Sequence, residues 1–462
     1  MLGEFNHVVV GAGPCGATVL DELIANGVNA DDILLVTKVE TKGQRADGTR
    51  NIFERAKSIR DNGLLSKGAA GNLLNPDQIS DPGEIWGVSC LPFSTNWSIA
   101  SNNEKLLEAY GKTCSNWGVQ ATSITSQPSI EYPLTGEVLN QLSRKDLSNH
   151  LVKNLSGLDH SRLALKSQIS GQSCTFDSKC FIGCDKDVPY RPSLEILKLR
   201  QKSEFKSILG KLVRIDTINK IAYLENDECI QFTNLYLAPG TEQTLEIIQN
   251  SVKNSENLSY LSSSVQLSPF FSFKSSSSKD FYESFLYTDL VFSISESGRQ
   301  RGLIQVYLPT HEIAARILST CPKKLISALE PFSGLIQRVL RHFGIIMLFH
   351  PGTSEVDSLH SIKSASKTLL RKIRISWGRH GLILMGFPSK YLLNNQTMHI
   401  GSLGTETESR GIDSAIFKKL ASQQVYLCDT SVLPSLPPGP ITALASAYAR
   451  MIVLQSLKRV NN

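Results

Sequence analysis

No segment of this 462-residue sequence approaches the about 18 consecutive apolar residues of a membrane span. The best apolar run, FGIIMLFH at 343–350, is far too short. No positively charged segment with an apolar core precedes the first predicted strand, so a cleaved secretion signal is not expected and the chain reads as cytoplasmic. Dense runs of Lys and Arg with interleaved aromatics are absent, so a net charge of +6 lends nucleic-acid binding little support. Paired C-x2-C elements, the usual mark of zinc and iron–sulfur sites, are also missing. The nine cysteines are odd in number and mostly scattered, which reads as free thiols. Three of them, Cys174, Cys180 and Cys184, cluster as C-x5-C-x3-C without an adjacent fourth ligand; a structural loop is the preferred reading over a metal site. No internal repeat is visible. Hydrophobic content of 41% and charged content of 19% are ordinary for a globular protein, and the length allows one large core or two or three domains.

What is present begins at HVVVGAGPCGATVLDELIANG, residues 7–27. His7–Val10 reads as a short buried strand, and Gly11, Gly13 and Gly16 follow at G-x-G-x-x-G spacing, with Pro14 inside the turn. Val19, Leu20, Leu23 and Ile24 then fall on one helical face. Strand, tight turn and helix in this order form a dinucleotide cradle: one glycine turns the chain, one lets backbone approach a pyrophosphate, and one lets helix pack on strand. The helix N-terminus supplies unpaired N–H groups for the phosphates. No second G-x-G-x-x-G exists, which favours one tightly held dinucleotide and a substrate that reacts with it directly.

Ile33–Val36 is the second strand of this unit. The stretch 41–63 is polar and basic, read as loop and helix, and 67–93 is a Gly- and Pro-rich loop of the kind that is usually functional. Helical patterns cover 104–118 and 139–155. Residues 211–241 read as a strand meander, with NLYLAPGT a buried strand ending in a glycine turn, and EQTLEIIQNS as the following helix. The serine-rich stretch 256–278 reads as a loop or domain connection. TDLVFSI and GLIQVYLP look like strands, HEIAARIL and LEPFSGLIQRVLRHF like helices, and KIRISWG with GLILMGF like a hairpin. The tail holds a buried strand, QVYLCD, a rigid turn, TSVLPSLPPGPI, and a small-residue-rich helix, TALASAYARMIVLQSL, which together make a second site for an anion or polar ring.

Four separated segments together resemble the glucose-methanol-choline (GMC) family of flavin oxidoreductases, in particular its short, divergent members among sugar- and polysaccharide-modifying proteins. They are VVVGAGPCGATV, GEIWGVSCLPF (83–93), NLYLAPGTEQTLEIIQNS, and the tail MHIGSLG (398–404) with VYLCDTSVLPSLPPGPITALASAYARMI (425–452). The tail is the most specific of them, and 255–395 matches only in position. The resemblance implies an α/β fold: an FAD/NAD(P)-binding Rossmann-like domain with a parallel sheet and helices, plus a mixed α+β substrate domain with an antiparallel sheet. The expected division is 1–90, 195–254 and 396–462 for the discontinuous FAD-binding domain, and 91–194 with 255–395 for the substrate or cap domain. It implies FAD as cofactor, held by Gly11, Gly13, Pro14, Gly16, Thr37, Lys38, Gly83, Trp86, Gly87, Val213, Ala238, Gly240, Asp429, Thr430, Pro440, Ile441 and Thr442, and no metal.

The activity implied is oxidation of a CH–OH group, more specifically a sugar or glycan-linked alcohol, by hydride transfer to flavin N5. The electron acceptor is not identified. His399 occupies the position of the family's base, and an imidazole of ordinary pKa is largely neutral at pH 7 and suited to take the hydroxyl proton. Three departures stand out. The family's second histidine or asparagine falls at Pro440, with Gly439 beside it, and neither has a side chain that hydrogen-bonds. The acidic residue expected at the end of the second strand falls at Thr37 or Lys38, with Glu40 close by. Glu84 stands where the family often has asparagine before its Trp-Gly pair. They motivate two rivals: a flavoprotein that has lost alcohol oxidation and serves in binding or assembly, and a flavin enzyme of internal redox or isomerisation. His311, His350, His360 and His380 have no assigned place.

Overall fold

The computed structural model describes residues 1–38, 52–61, 89–90, 103–119, 155–160, 162–166, 171, 188–272, 290–296, 299–307, 311–319, 321–340, 342–352, 382–384, 396–405 and 409–460. In chain order, β1 (Glu4–Val10) leads through α1 (Pro14–Ala25) to β2 (Ile33–Thr37). Then come α2 (Ile52–Asp61), the two-residue β3 (Ser89–Cys90), α3 (Glu104–Asn116), β4 (Leu155–His160), β5 (Arg162–Leu163) and α4 (Pro192–Lys202). The central part holds β6 (Lys206–Leu209), β7 (Leu212–Asp216), β8 (Ile221–Leu224), β9 (Cys229–Leu237), α5 (Thr241–Ser251) and β10 (Ser259–Ser272). After β11 (Leu290–Glu296) and β12 (Arg299–Tyr307) come α6 (His311–Ser319), α7 (Lys323–Leu329) and α8 (Ser333–Leu340). The chain closes with β13 (Phe343–Phe349), β14 (Leu382–Leu384), β15 (Gln396–Gly404), α9 (Ala415–Ser422), β16 (Val425–Leu427) and α10 (Thr442–Val460).

Two sheets organise these elements. In the first, β6, β2, β1, β9 and β16 run parallel, and β8 and β7 add an antiparallel meander to β9. Parallel strands are covered on both faces and so read as unbroken apolar runs, as ILLVT in β2 does, buried at every position. The register aligns one edge: Val10 stands level with Val36 and Leu237, and Leu237 with Leu427. The turns that leave β1, β2, β9 and β16 therefore all emerge at the same edge, where open α/β sheets bind ligands. This is the parallel sheet with helices that the motifs predict.

The second sheet is antiparallel, with β14 and β15 on one edge of β10 and β13, β12, β11 and β4 following on the other. Here the serine-rich stretch departs from expectation. Ser259–Ser272 is not a connection but the longest strand of the sheet. Each of its paired serines bonds to one edge, Ser259 and Ser262–Ser264 to β15, Ser268 to β13 and Ser272 to β14, and the backbone ladder plus burial of Leu261, Val265 and Phe270 outweighs the weak strand preference of serine. Leu382–Leu384 pairs with Phe270–Ser272, whereas its predicted hairpin mate KIRISWG lies outside the described residues, as does most of the predicted helix 139–155. The basic stretch does hold a helix, α2. Its Ile52, Phe53 and Ala56 join Ala314, Leu318, Ile326 and Leu340 in a small separate core, and Lys57 pairs with Glu330 at 2.6 Å. Among the described residues, no helix is long and apolar enough to cross a membrane, and no group of three His, Cys, Asp or Glu side chains is placed to hold a metal ion.

The first and last helices are joined through charge. Arg450 of α10, 1% exposed, donates to Glu22 and, at 2.8 Å, to Asp21 of α1, and its Nε reaches Thr113 Oγ1 of α3 at 3.3 Å. Lys112 adds two contacts of 3.0 Å to the fully buried Glu22. Small residues let the helices approach this closely: Ala443, Ala445, Ser446, Ala447 and Ala449 are all buried in α10. Removing one partner of such a network strands a buried charge. Arg450→Ala is expected to lower the unfolding free energy by about 3–5 kcal/mol, measured by urea denaturation. The pair Glu22→Gln with Arg450→Met should recover part of that loss, because the stranded charge goes with its partner.

Candidate functional site

The glycine turn after β1 is closed against the end of β9. Gly11 has φ +101°, and a Cβ there would lie 2.3 Å from the Ala238 carbonyl oxygen. A Cβ on Gly16 would lie 1.9 Å from the Gly11 carbonyl oxygen. Only glycine fits at either position, so the backbone packs without side chains where a phosphate would sit. Gly13 is the extended N-cap of α1, with Pro14 in the first turn, no capping side chain and no acidic residue in that turn. The amides of the first turn and the positive end of the helix dipole are left for an anion.

Beside this cradle β2 ends in Thr37, a buried neutral residue, with Lys38 exposed after it. The Thr37 carbonyl accepts from Gly210 N at 2.9 Å, tying the start of the meander to the same edge. Val213 lies three residues further on, half-buried, and its carbonyl accepts from Asn250 Nδ2 at 3.2 Å.

A single carboxylate locks the turns after β9 and β16 together. Asp429, 3% exposed, accepts from Gly240 N at 3.0 Å and Thr244 Oγ1 at 2.6 Å on one oxygen, and from Ser431 N at 2.9 Å on the other. Burial pushes its pKa up, and the hydrogen bonds from Ser431, Thr244 and Gly240 oppose that shift by favouring the ionised form. Burial likewise pushes the neighbouring Cys428 thiol up. Asp429 is thus a structural staple; both its oxygens are occupied by the protein itself.

The strand carrying His399 is fastened to this staple. Thr430 Oγ1 meets the Ile400 carbonyl at 2.8 Å and Thr241 Oγ1 at 2.7 Å. Gly401 allows the approach, since a Cβ there would come within 2.7 Å of the Thr430 carbonyl oxygen. His399 pairs across the ladder with Ser263 of β10. Ile441 is buried and accepts from Ala445 N at 2.9 Å, half-buried Pro440 precedes it, and Thr442 opens α10. The structure so brings Gly11, Gly13, Pro14, Gly16, Thr37, Ala238, Gly240, Asp429 and Thr430 to one sheet edge, with the strand of His399 laid against it. Gly83, Trp86 and Gly87 lie outside the described residues, as do Glu40, Glu84 and the three clustered cysteines.

One residue at this edge was without a place in the sequence. His350 follows the end of β13, is 6% exposed, and leads into Gly352, whose N–H donates to the Leu436 carbonyl of the C-terminal turn at 2.7 Å. The signal that would have found it is its own tripeptide, His-Pro-Gly at a strand end, which parallels His-Ile-Gly at 399–401.

Burial holds the His350 pKa down to about 4 from an ordinary 6.5. The folded chain therefore refuses a proton that the unfolded chain accepts between these values. Stability from this group is intact above pH 6.5 and falls on acidification, by on the order of 3 kcal/mol at pH 4. Urea unfolding at a series of pH values should show that slope in the wild type and its loss in His350→Gln. Gly401→Ala should cost about 1–3 kcal/mol through overpacking against the Thr430 carbonyl. Gly334→Ala, where a Cβ meets nothing within 4 Å, is the control expected to cost nothing.

No protein-family profile matches the chain, and no curated protein matches it by sequence. Solved structures do. A fungal aryl-alcohol oxidase superposes over 99% of this chain and 99% of its own, with a TM-score of 0.56 at 10% identity. A formate oxidase of Aspergillus oryzae RIB40, solved in a study of its FAD modification, covers 100% of this chain and 99% of its own, with a TM-score of 0.58 at 11% identity. An FAD-dependent oxidoreductase from Chaetomium thermophilum covers 99% of each chain, with a TM-score of 0.58 at 11% identity. The chain has the fold of the GMC-type oxidoreductases, over its whole length and theirs.

Proposed function

We propose that this chain is an FAD-dependent oxidoreductase that oxidises a CH–OH group, with a sugar or glycan-linked alcohol as the substrate class. The observation that carries the reading is the convergence at one sheet edge: a glycine cradle suited to a pyrophosphate, and a turn at Asp429 stapled to the strand that bears His399. The cradle fits the cofactor because Gly11 and Gly16 let the turn close backbone to backbone against the end of β9 and the start of α1, and the uncapped α1 N-terminus offers its amides to the phosphates. When bound, FAD supplies a two-electron acceptor for the hydride of an alcohol carbon.

The chain's own residues supply the rest. Gly11, Gly13, Pro14 and Gly16 hold the pyrophosphate; Thr37, Lys38 and Val213 flank the adenosine; Ala238, Gly240, Asp429, Thr430, Pro440, Ile441 and Thr442 frame the flavin end. Gly83, Trp86 and Gly87 are assigned to the cofactor by the resemblance alone. Thr37 binds a ribose hydroxyl as a neutral partner, so its hold is weaker than that of a carboxylate. His399 takes the hydroxyl proton as general base as the hydride leaves the carbon, so the alcohol gives up two electrons and two hydrogens and becomes a carbonyl. Fixing β15 to the Asp429 turn pre-sets the position of that base, which lowers the barrier by holding the reacting groups in place before they react.

The purified protein is expected to be yellow with bound FAD and to bleach anaerobically when an alcohol from a panel of sugars and nucleotide sugars is added. His399→Ala should retain FAD and slow flavin reduction by about 10²–10⁴-fold, the scale of a lost general base. Yellow protein that no alcohol bleaches would favour a binding or assembly role. Product formed with no net use of an acceptor would favour internal redox chemistry.

A further inference from the structure

Exposed apolar side chains scattered singly over a protein surface need no explanation, but here four of them gather at α7 and α8. Leu325 is 45% exposed, Phe332 and Leu335 are each 61% exposed, and Val339 is 46% exposed. The backbone stays helical from the end of α7 through the 3₁₀ turn Glu330–Phe332 into α8. Residues 332, 335 and 339 therefore follow one side of the rod. On the adjoining side, Leu329, Ile336 and Leu340 pack into the small core shared with α2 and α6. The apolar arc of α8 is thus wider than the core it covers, and its outer part faces water as a ridge. Charge of one sign borders this ridge. Exposed Lys323 and Lys324 precede Leu325, and exposed Arg338 precedes Val339. From 313 to 352 the sequence has five Lys and Arg but one acid, Glu330, and that carboxylate is held by Lys57 of α2 at 2.6 Å.

We propose that this ridge docks the protein on the surface of an anionic lipid bilayer, with Phe332 and Leu335 entering the headgroup layer and the flanking cations meeting lipid phosphates and carboxylates. An exposed apolar stripe bordered by Lys and Arg is the arrangement with which helices lie in a membrane interface. With seven and eight residues, α7 and α8 are too short to cross a bilayer, so they lie on it. The long stems of Lys and Arg let their charges reach the headgroups while their carbons stay against the apolar stripe. A second copy of the chain is a poorer occupant, because a two-fold pairing of the ridge would set these cations near their own equivalents. Protein interfaces are also depleted in Lys, whereas an anionic leaflet rewards each Lys or Arg at its surface with about fivefold in affinity.

The test uses the purified full chain with phosphatidylcholine vesicles, prepared with and without phosphatidylserine, and reads binding by cosedimentation at low and high salt. Wild type is expected to bind the phosphatidylserine vesicles about tenfold or more tightly than phosphatidylcholine alone, and to lose that preference at high salt. Phe332→Ser combined with Leu335→Ser should weaken this binding by about tenfold or more, with Tm unchanged because both positions are exposed. Lys324→Gln combined with Arg338→Gln should weaken it by about 30-fold, two cations at about fivefold each. Ile218→Ser, 85% exposed on the turn between β7 and β8, is the control and should change nothing. The proposal is overturned if wild type binds neither vesicle, or if Phe332→Ser with Leu335→Ser binds as wild type does. A dimer seen by light scattering and abolished by that double variant, with no vesicle binding, assigns the ridge to a second copy and equally overturns it. Should the double variant fail to fold, hydrogen–deuterium exchange on wild type carries the test. Amides of 323–340 protected by phosphatidylserine vesicles support docking there, and protection that leaves 323–340 unchanged overturns it.

Discussion

Asp429 is the constraint on which the candidate site depends. Three stretches far apart in sequence, the turn after β9, the turn after β16 and the strand β15, must be held within a few ångströms of one another. A buried carboxylate does this well because its two oxygens accept from several donors at once, and ionic hydrogen bonds are stronger than neutral ones. Its three donors come from Gly240, Thr244 and Ser431, on both turns. Thr430 and Thr241 extend the same lattice to the Ile400 carbonyl. Burial alone would neutralise such a group, and only this full set of donors favours its charge. The turns are consequently coupled: displacing one would leave the carboxylate short of partners and release the other.

A second buried charge performs a similar task among α1, α3 and α10. Arg450 ties α10 back to α1 and α3, so the helix that follows the C-terminal turn is anchored to the helix that follows the glycine turn. Each helix begins at a turn of the candidate site, and fixing the helices fixes the spacing of their N-termini. The geometry of the edge is thus held at two levels, directly by Asp429 and at a distance by the Arg450 network.

Much of this was legible in the sequence where local pattern and global fold agree. The glycine cradle, the strands Ile33–Val36 and QVYLCD, the meander, and the helices at 104–118 and 241–251 all carry periodicity or turn chemistry that matches their final environment. Ser259–Ser272 was not legible, because serine there has no strand preference of its own and the strands that pair with it, β13, β14 and β15, lie far away in sequence. Asp429 could be marked as a site residue from its motif, but its role as a staple depends on Thr244 and Gly240, about 190 residues earlier by separation along the chain. The place of His350 depended likewise on distant contacts, although its His-Pro-Gly tripeptide was visible. Nothing in FGIIMLFH announces that the strand ends against Leu436.

The fold and the sequence also differ in what they preserve. Identity of 10–11% with structures that superpose over nearly the whole chain means that few individual side chains are shared. A core tolerates such turnover, because apolar residues of suitable volume and pattern substitute for one another at small cost. A cradle does not tolerate it at Gly11 and Gly16, where any Cβ would overlap backbone. Groups that act by hydrogen bonding lie between these extremes: the requirement is for a donor or acceptor at a point in space, and the chain is free to deliver it from another strand. At the end of β2 the chain has the hydroxyl of buried Thr37 rather than a carboxylate. Pro440 offers no hydrogen-bonding side chain at the C-terminal turn, which meets the second sheet instead through backbone, at Gly352 N–H and the Leu436 carbonyl. A fold therefore persists at 10–11% identity, because what it requires is backbone space at a few glycines and compatible packing elsewhere.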